Sequence, residues 1–398
     1  MVPFGNLFSA FSFFKIDNFN VNVPFVLILL YLFVSLFEMF KKDKSISKLN
    51  IAIFLLFLFV LIVPFMYNNA SFTSLLLYSF FAIFYVILFS NSTPKINTKY
   101  IRCFIFIASI INILGIIQFF SQFTTIGYVD MTFGKFASTG YNTTASIYSS
   151  HGLIYRAHSI YLEPSVLSQN SAIVIILLFY LLLKNKISKG FFLVLFIGNI
   201  FALLSAISGT GIIILIIVLT LLLFKMKYKN KIFILSLYVI SLLFVILITR
   251  SNELLYEFFW DRLFEVNSEG TSGNIRFIVP YRCLINSFGI SPLGVGAGNS
   301  SKIINLIYPN YQYELVDFNS SIAKIGVECG IIGFFLYILF ILLIFKRTID
   351  KKSILGLIFF MIFILKDLMD GILLTEGYIF ISMVLIFTSY DDELSLKI

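Results

Sequence analysis

The stretch Tyr155-Arg156-Ala157-His158-Ser159-Ile160-Tyr161-Leu162-Glu163-Pro164-Ser165 gathers an arginine, a histidine and a carboxylate just ahead of a long apolar run. Pro164 suits the first turn of a helix, where its missing N–H costs nothing. Glu163 then stands near the N-cap, where the helix dipole favours a negative charge. Two readings of Glu163 follow. It is a capping carboxylate with no chemical role, or a base or hydrogen-bond acceptor held at a membrane mouth. Arg156 matches phosphate geometry and can hold a phosphate bidentately. His158 is a candidate proton shuttle; the plainer reading is a polar filler.

A second group runs from Gly273-Asn274-Ile275-Arg276 through Arg282 to Gly289 and the turn Pro292-Leu293-Gly294-Val295-Gly296-Ala297-Gly298-Asn299. Arg276 and Arg282 suit a diphosphate clamp better than lysines would. Ordinary ion pairs of a solvated loop to Glu265 or Glu269 are the plainer account. The glycine turn lacks the strand–helix unit of a dinucleotide fingerprint, so close backbone approach or a tight loop is its expected role. A third group is Asp317-Phe318-Asn319-Ser320-Ser321, then Lys324, Glu328, Gly330 and Gly333. Lys324 and Glu328 share one helix face. Ionisable groups inside a membrane are costly and point to function; an internal ion pair is the bland alternative. The same choice applies to Lys366, Asp367 and Asp370, with mutual pairing as the bland account.

The elements that must carry these residues are membrane spans. Apolar residues make up 59% of the 398 residues and charged residues 12%, and the mean hydropathy is +0.98. A soluble domain has about 45–50% apolar and about 25% charged residues. A span needs about 20 apolar residues. About 11 runs qualify, near 23–40, 50–67, 71–89, 102–120, 165–183, 190–207, 210–224, 232–249, 321–345, 354–374 and 377–389. The runs 210–224 and 377–389 are short, and 354–374 carries charges. Phe4–Phe14 is too short to span and suits the interface. No cleavable signal peptide is expected, and the first span then serves as insertion signal.

The net charge of +9 comes largely from lysine clusters at 41–48, 95–102, 184–189, 225–231 and 346–352. These fall in alternate loops, which makes those loops cytoplasmic and argues against a nucleic-acid partner. The N-terminus is then outside and the C-terminus inside. Two long loops, roughly 121–164 and 250–320, come out extracytoplasmic within a single integral membrane domain of residues 1–398. Cys103, Cys283 and Cys329 are too widely spaced for a metal motif or a disulfide framework, and no metal or cofactor is expected. The fold expected is all-α, because only helices and closed barrels satisfy the backbone in lipid.

The order and spacing of Arg156, Glu163-Pro164, Arg276, Arg282, the Pro292–Gly298 turn and Asn319-Ser320 with Gly330 and Gly333 resemble the O-antigen polymerase (Wzy-type) family, whose relatives include the O-antigen ligases. The resemblance covers roughly residues 100–345. It implies a GT-C-like architecture in the bacterial inner membrane. It also implies an inverting, metal-independent glycosyltransferase whose active site faces the periplasm. Donor and acceptor would be oligosaccharides on undecaprenyl diphosphate, held through Arg156, Arg276 and Arg282. A protein that regulates chain length is a further implied partner. Asn319 stands where ligases carry a histidine, which favours polymerase over ligase.

The chemistry is plausible from below. A sugar diphosphate leaves readily once arginines stabilise its charge. A carboxylate can serve the acceptor hydroxyl as general base; Glu163 is the first candidate, Glu328 the second, with His158 beside them. Asn299, Asn319 and Tyr161 are candidate glycan or acceptor contacts. Tyr141, Tyr148, Tyr155, Tyr308, Tyr311 and Tyr313 could also stack on sugars, although tyrosine belongs to interface belts too. The rival from another class is a lipid-linked oligosaccharide flippase or transporter. Such a protein should line its central helices with charge and keep its outer loops short.

Overall fold

A computed structural model describes residues 6–8, 11–16, 19–39, 71, 74, 78, 98–131, 146–149, 152–161, 163–225, 239, 271–309, 318, 320–350 and 354–370. The apolar runs near 50–67 and 377–389 lie outside the described residues, as do all but residues 71, 74 and 78 of the run 71–89, all but residue 239 of the run 232–249, and Asn319. The described residues are mostly helical. In order come α1 (Val23–Met39), α2 (Thr98–Ser121), α3 (Pro164–Leu183), α4 (Lys189–Ser205) and α5 (Gly209–Lys225). They are followed by α6 (Ser272–Phe277), α7 (Val279–Ile290), α8 (Ser300–Ile307), α9 (Ser321–Asp350) and α10 (Ile354–Asp370). Three described helical stretches are long and apolar enough to cross a membrane: Lys99–Ser121, Pro164–Leu183 and Ser321–Lys346.

Two short antiparallel hairpins depart from the all-α expectation. β1 (Ser12–Ile16) pairs with β2 (Phe19–Asn22). β3 (Ser146–Ser149) pairs with β4 (Gly152–Tyr155) inside the first long loop. The second hairpin carries Ile147, Tyr148, Ile154 and Tyr155, β-branched and aromatic residues that suit a pleated ribbon.

The chain divides into two compact units. The first is formed chiefly by residues 3–26 and 97–264. Its centre is α3, which packs on α2, α4 and α5. Every residue of α3 from Leu167 to Leu181 is buried. A helix apolar on all sides belongs at the centre of a bundle, and α2, α4 and α5 supply the cover. Outward, α2 shows Phe106, Ile110, Ile117 and Phe120. That apolar stripe on a helix exterior is what lipid tolerates and water does not.

The second unit is formed by residues 27–96 and 265–398. There α7 and α10 pack against α9, and α8 closes on both α7 and α9. Val279, Cys283, Leu284, Ile303, Ile304, Phe318, Ala323 and Val327 make its core. Burial pushes the Cys283 thiol up to about 12, with Arg282 opposing, so this cysteine is an apolar filler. On α9, Phe335, Leu339 and Leu342 form a second outward apolar stripe.

Candidate functional site

In the first unit, Pro164 is at the first turn of α3 and Glu163 is its N-cap residue, as the sequence implies. The carboxylate makes no side-chain cap. Instead Ser165 Oγ donates to Glu163 Oε2 at 3.0 Å. The plain capping role is thereby removed, and the half-buried carboxylate stays at the head of the most buried helix.

The residues before Glu163 are fixed by α2. Gln118 is the hub. Its Oε1 accepts from the backbone N–H of His158 at 2.9 Å and of Ser159 at 2.7 Å. Two donors on one atom identify that atom as the amide oxygen. The amide nitrogen therefore donates to Val129 O at 2.9 Å and to His158 Nε2 at 3.2 Å. An accepting Nε2 leaves Nδ1 as the protonated nitrogen, and Nδ1 lies 3.0 Å from the Tyr161 carbonyl. His158 is thus a neutral, fully buried imidazole with both nitrogens engaged. Burial lowers its pKa, and Asp130, 3.7 Å from Nε2, works against that shift.

Gln122, just past the end of α2, pairs with Tyr155 as a strand would: Nε2 donates to Tyr155 O at 3.0 Å, and Tyr155 N donates to Oε1 at 2.8 Å. Tyr155 stacks on Tyr128, with ring centroids 4.7 Å apart. The Tyr128 hydroxyl donates to Arg156 O at 3.2 Å, and burial raises the pKa of that phenol. Tyr161 is fully buried, and its hydroxyl donates to Asn112 Oδ1 at 2.8 Å. Asn112 passes the chain on to Asn199 Oδ1 at 2.7 Å, and Asn199 donates to Ser109 Oγ at 3.0 Å. Buried side-chain amides thus tie α2 and α4 beneath the loop. Tyr161, a candidate glycan contact by sequence, is thus placed in the interior with its hydroxyl engaged.

Arg156 is different. Its Nε donates to Ala206 O at 3.2 Å, and Ala157 N donates to Ser205 O at 3.1 Å. Both acceptors lie at the C-terminus of α4, where the last carbonyls of a helix lack intrahelical partners. The guanidinium is anchored through Nε to the Ala206 carbonyl and is half-buried. A rigid, non-helical segment therefore carries one half-buried arginine and one half-buried carboxylate, seven positions apart in sequence. Gln118, Gln122, Asn112 and Asn199 are the supporting residues that sequence reasoning passed over. Polar residues inside apolar runs were the available signal.

In the second unit, α9 is interrupted. Gly330 has φ 67° and ψ −164°, so the helix stops at Cys329 and restarts at Ile331. The glycine turn fills the gap. Val295 N donates to Val327 O at 3.1 Å, Gly296 N to Glu328 O at 3.0 Å, and Ile331 N to Pro292 O at 2.9 Å. The carbonyls and the amide freed by the break are so re-satisfied, which is the condition for irregular backbone at membrane depth. Both glycine clusters thus serve close backbone approach.

Glu328 sits beside the break, fully buried. Tyr78 Oη donates to its Oε2 at 2.7 Å and Ser300 Oγ to its Oε1 at 2.6 Å. Both oxygens already hold hydroxyl partners, which suits a structural carboxylate better than a base. Asn299 is the N-cap residue of α8 but does not cap by its side chain; its Nδ2 donates to Val295 O at 3.0 Å, inside the same turn. Arg276 ends α6 half-buried, whereas Arg282 is exposed on α7, with Nη1 3.4 Å from Tyr308 Oη. Asp367 accepts from Tyr337 at 2.8 Å on α9, so its hydroxyl partner comes from a neighbouring helix as well.

The structure brings Arg156, His158, Tyr161 and Glu163 together in one unit. It brings Glu328 and Asn299 together with the glycine turn in the other. No protein-family model matches the chain, and no curated protein matches it.

Proposed function

We propose that this protein is a glycosyltransferase that polymerises oligosaccharide repeat units carried on undecaprenyl diphosphate, at the periplasmic face of a bacterial inner membrane. The observation that carries the reading is the fixed Arg156–Glu163 segment. It is buried at His158 and Tyr161, half-open at Arg156 and Glu163, and stands at the mouth of an apolar helix. An arginine and a carboxylate so placed suit a reaction with an anionic leaving group and a hydroxyl acceptor. The acceptor oxygen bonds to the donor's anomeric carbon as the bond from that carbon to the diphosphate breaks. Glu163 takes the acceptor proton. Arginine takes up the charge on the departing lipid diphosphate. Arg156 in one unit, and Arg276 and Arg282 in the other, are separate candidates for that role. This reading carries about 11 spans from the apolar runs, and a GT-C-like architecture and a chain-length regulator as partner from the resemblance.

One observation favours a second reading. Discontinuous membrane helices are a recurring feature of secondary transporters, and α9 is interrupted at Gly330 with the buried Glu328 close by. A lipid-linked oligosaccharide flippase is therefore the alternative.

Both are separated by surface polysaccharide from a deletion strain, complemented with wild type, Arg156→Ala or Arg276→Ala. Polymerase predicts single repeat units on the surface after deletion, with the ladder restored by wild type and not by an arginine variant expressed at normal level. Free lipid-linked polymer with no attached unit identifies a ligase. Single units accumulating on the cytoplasmic face identify a transporter and remove Glu163 as base.

A further inference from the structure

The end of α2 remote from Gln118 opens on a cavity of about 470 Å³. At 1.5 Å per residue, Arg102 lies about 24 Å along the helix from Gln118, so this cavity has no part in the Arg156–Glu163 segment. Its walls come from three helix ends: Arg102 and Ile105 of α2, Leu181 of α3, Lys186 and Ser188 of the α3–α4 connection, and Phe191 of α4. The volume is that of a small-molecule site.

Its construction is specific. Arg102 donates through Nη2 to the Lys186 carbonyl, which ties α2 to the connection and holds the guanidinium at the mouth. Asn185 takes a left-handed conformation with φ 53°, and Lys186 N donates to Leu181 O at 2.9 Å. The turn is thereby tight, and Lys186 is brought to the same mouth, exposed like Arg102. The α4 helix begins at Lys189 with Ser188 as its cap, so its positive dipole end adds to the field. No acidic residue lines the cavity among the described residues. Behind the cations the surface is apolar: Ile105 and Leu181 are buried, and Phe191 is 46% exposed.

A basic mouth over an apolar floor, between helices at a membrane surface, matches an amphipathic phosphate ester. We propose that this cavity binds the phosphate of an anionic phospholipid headgroup through Arg102 and Lys186, with the start of an acyl chain against Ile105, Leu181 and Phe191. The lysine pattern places this end of α2 on the cytoplasmic side, where anionic lipid is abundant. The assignment does not rest on the proposed reaction.

The full-length protein in neutral detergent, titrated with phosphatidylglycerol or phosphatidylethanolamine of identical acyl chains and read by native mass spectrometry, tests this. Phosphatidylglycerol adducts should form at several-fold lower lipid concentration than phosphatidylethanolamine adducts. Lys186→Glu should raise the phosphatidylglycerol concentration required by about fivefold or more, the worth of roughly one basic residue at an anionic surface. Its unfolding temperature without lipid should stay at the wild-type value. Arg102→Gln should act in the same direction; where it unfolds the protein, Lys186→Glu decides alone. Equal binding of both lipids, or a Lys186→Glu variant that binds like wild type, overturns the proposal. Inorganic phosphate that protects against unfolding as well as the lipid, and displaces it, overturns the lipid assignment in favour of free phosphate.

Discussion

Gly294 and Gly330 meet backbone to backbone: a Cβ on Gly294 would lie 2.5 Å from Gly330 N, and one on Gly330 would lie 2.6 Å from Gly294 N. Both have positive φ, +93° and +67°. Neither space nor conformation is therefore available to any other residue. Gly294→Ala and Gly330→Ala should each lower the unfolding temperature. The left-handed backbone alone accounts for about 1–2 kcal/mol, and displaced backbone adds to it. Gly289→Ala is the control: nothing lies within 4 Å of its Cβ, and helical alanine gains about 0.5–1 kcal/mol over glycine. Equal unfolding temperatures for all three variants would mean that the turn does not seat against α9.

Gln118 carries two backbone donors on one oxygen. Gln118→Leu leaves the N–H groups of His158 and Ser159 buried without an acceptor, at about 1–3 kcal/mol each. Thermal unfolding in detergent should show that loss, and limited proteolysis should newly cleave within 152–161. Gln118→Glu keeps the acceptors but loses the donors to Val129 and His158, so it should fall between wild type and Gln118→Leu. A Gln118→Leu protein as stable as wild type would refute the hub.

His158 is held neutral in the fold. Burial puts its pKa below the ordinary 6.5, with Asp130 acting weakly the other way. The unfolded chain therefore binds the proton first, and stability rises with pH across that window. The contribution is complete above about pH 6.5 and is lost as pH falls from there through the folded value, by up to about 1.4 kcal/mol per pH unit. Unfolding temperatures between pH 5 and 7.5 should slope more steeply for wild type than for His158→Gln. Parallel slopes would mean that the imidazole is not the titrating group.

Two glutamates carry opposite expectations. Glu163→Gln should fold at the wild-type temperature and lose the polysaccharide ladder, as general-base removal costs typically 10²–10⁴-fold. Glu328→Gln should keep some ladder and lose stability, because one carboxylate acceptor becomes a donor facing the hydroxyls of Tyr78 and Ser300. A ladder that survives Glu163→Gln and fails with a stable Glu328→Gln would exchange the two roles.

The helices themselves were legible. The apolar runs at 102–120, 165–183, 190–207, 210–224 and 354–374 coincide with helices to within a few residues. Pro164 marks the start of α3 correctly, because its ring geometry and missing N–H act locally. The break at Gly330 was not legible, since apolar residues continue on both sides of it and glycine is common in membrane helices. Its cause lies in a turn more than thirty positions upstream. The hydroxyl partners of Glu328 were hidden for the same reason: Tyr78 and Ser300 belong to other segments. Spacing along one helix cannot report a partner from another segment. The hydrogen bonding of His158 likewise depends on Gln118, forty residues earlier.

The connection between Ile290 and Ser300 has a consequence for descent. Surface connections are ordinarily where related chains gain and lose residues. This one supplies Pro292, Val295 and Gly296 to named atoms on either side of Gly330. One inserted or deleted residue would shift every donor out of step with its acceptor. The length of that connection should therefore be inherited as strictly as the length of a membrane span, while its non-glycine side chains remain freer to drift.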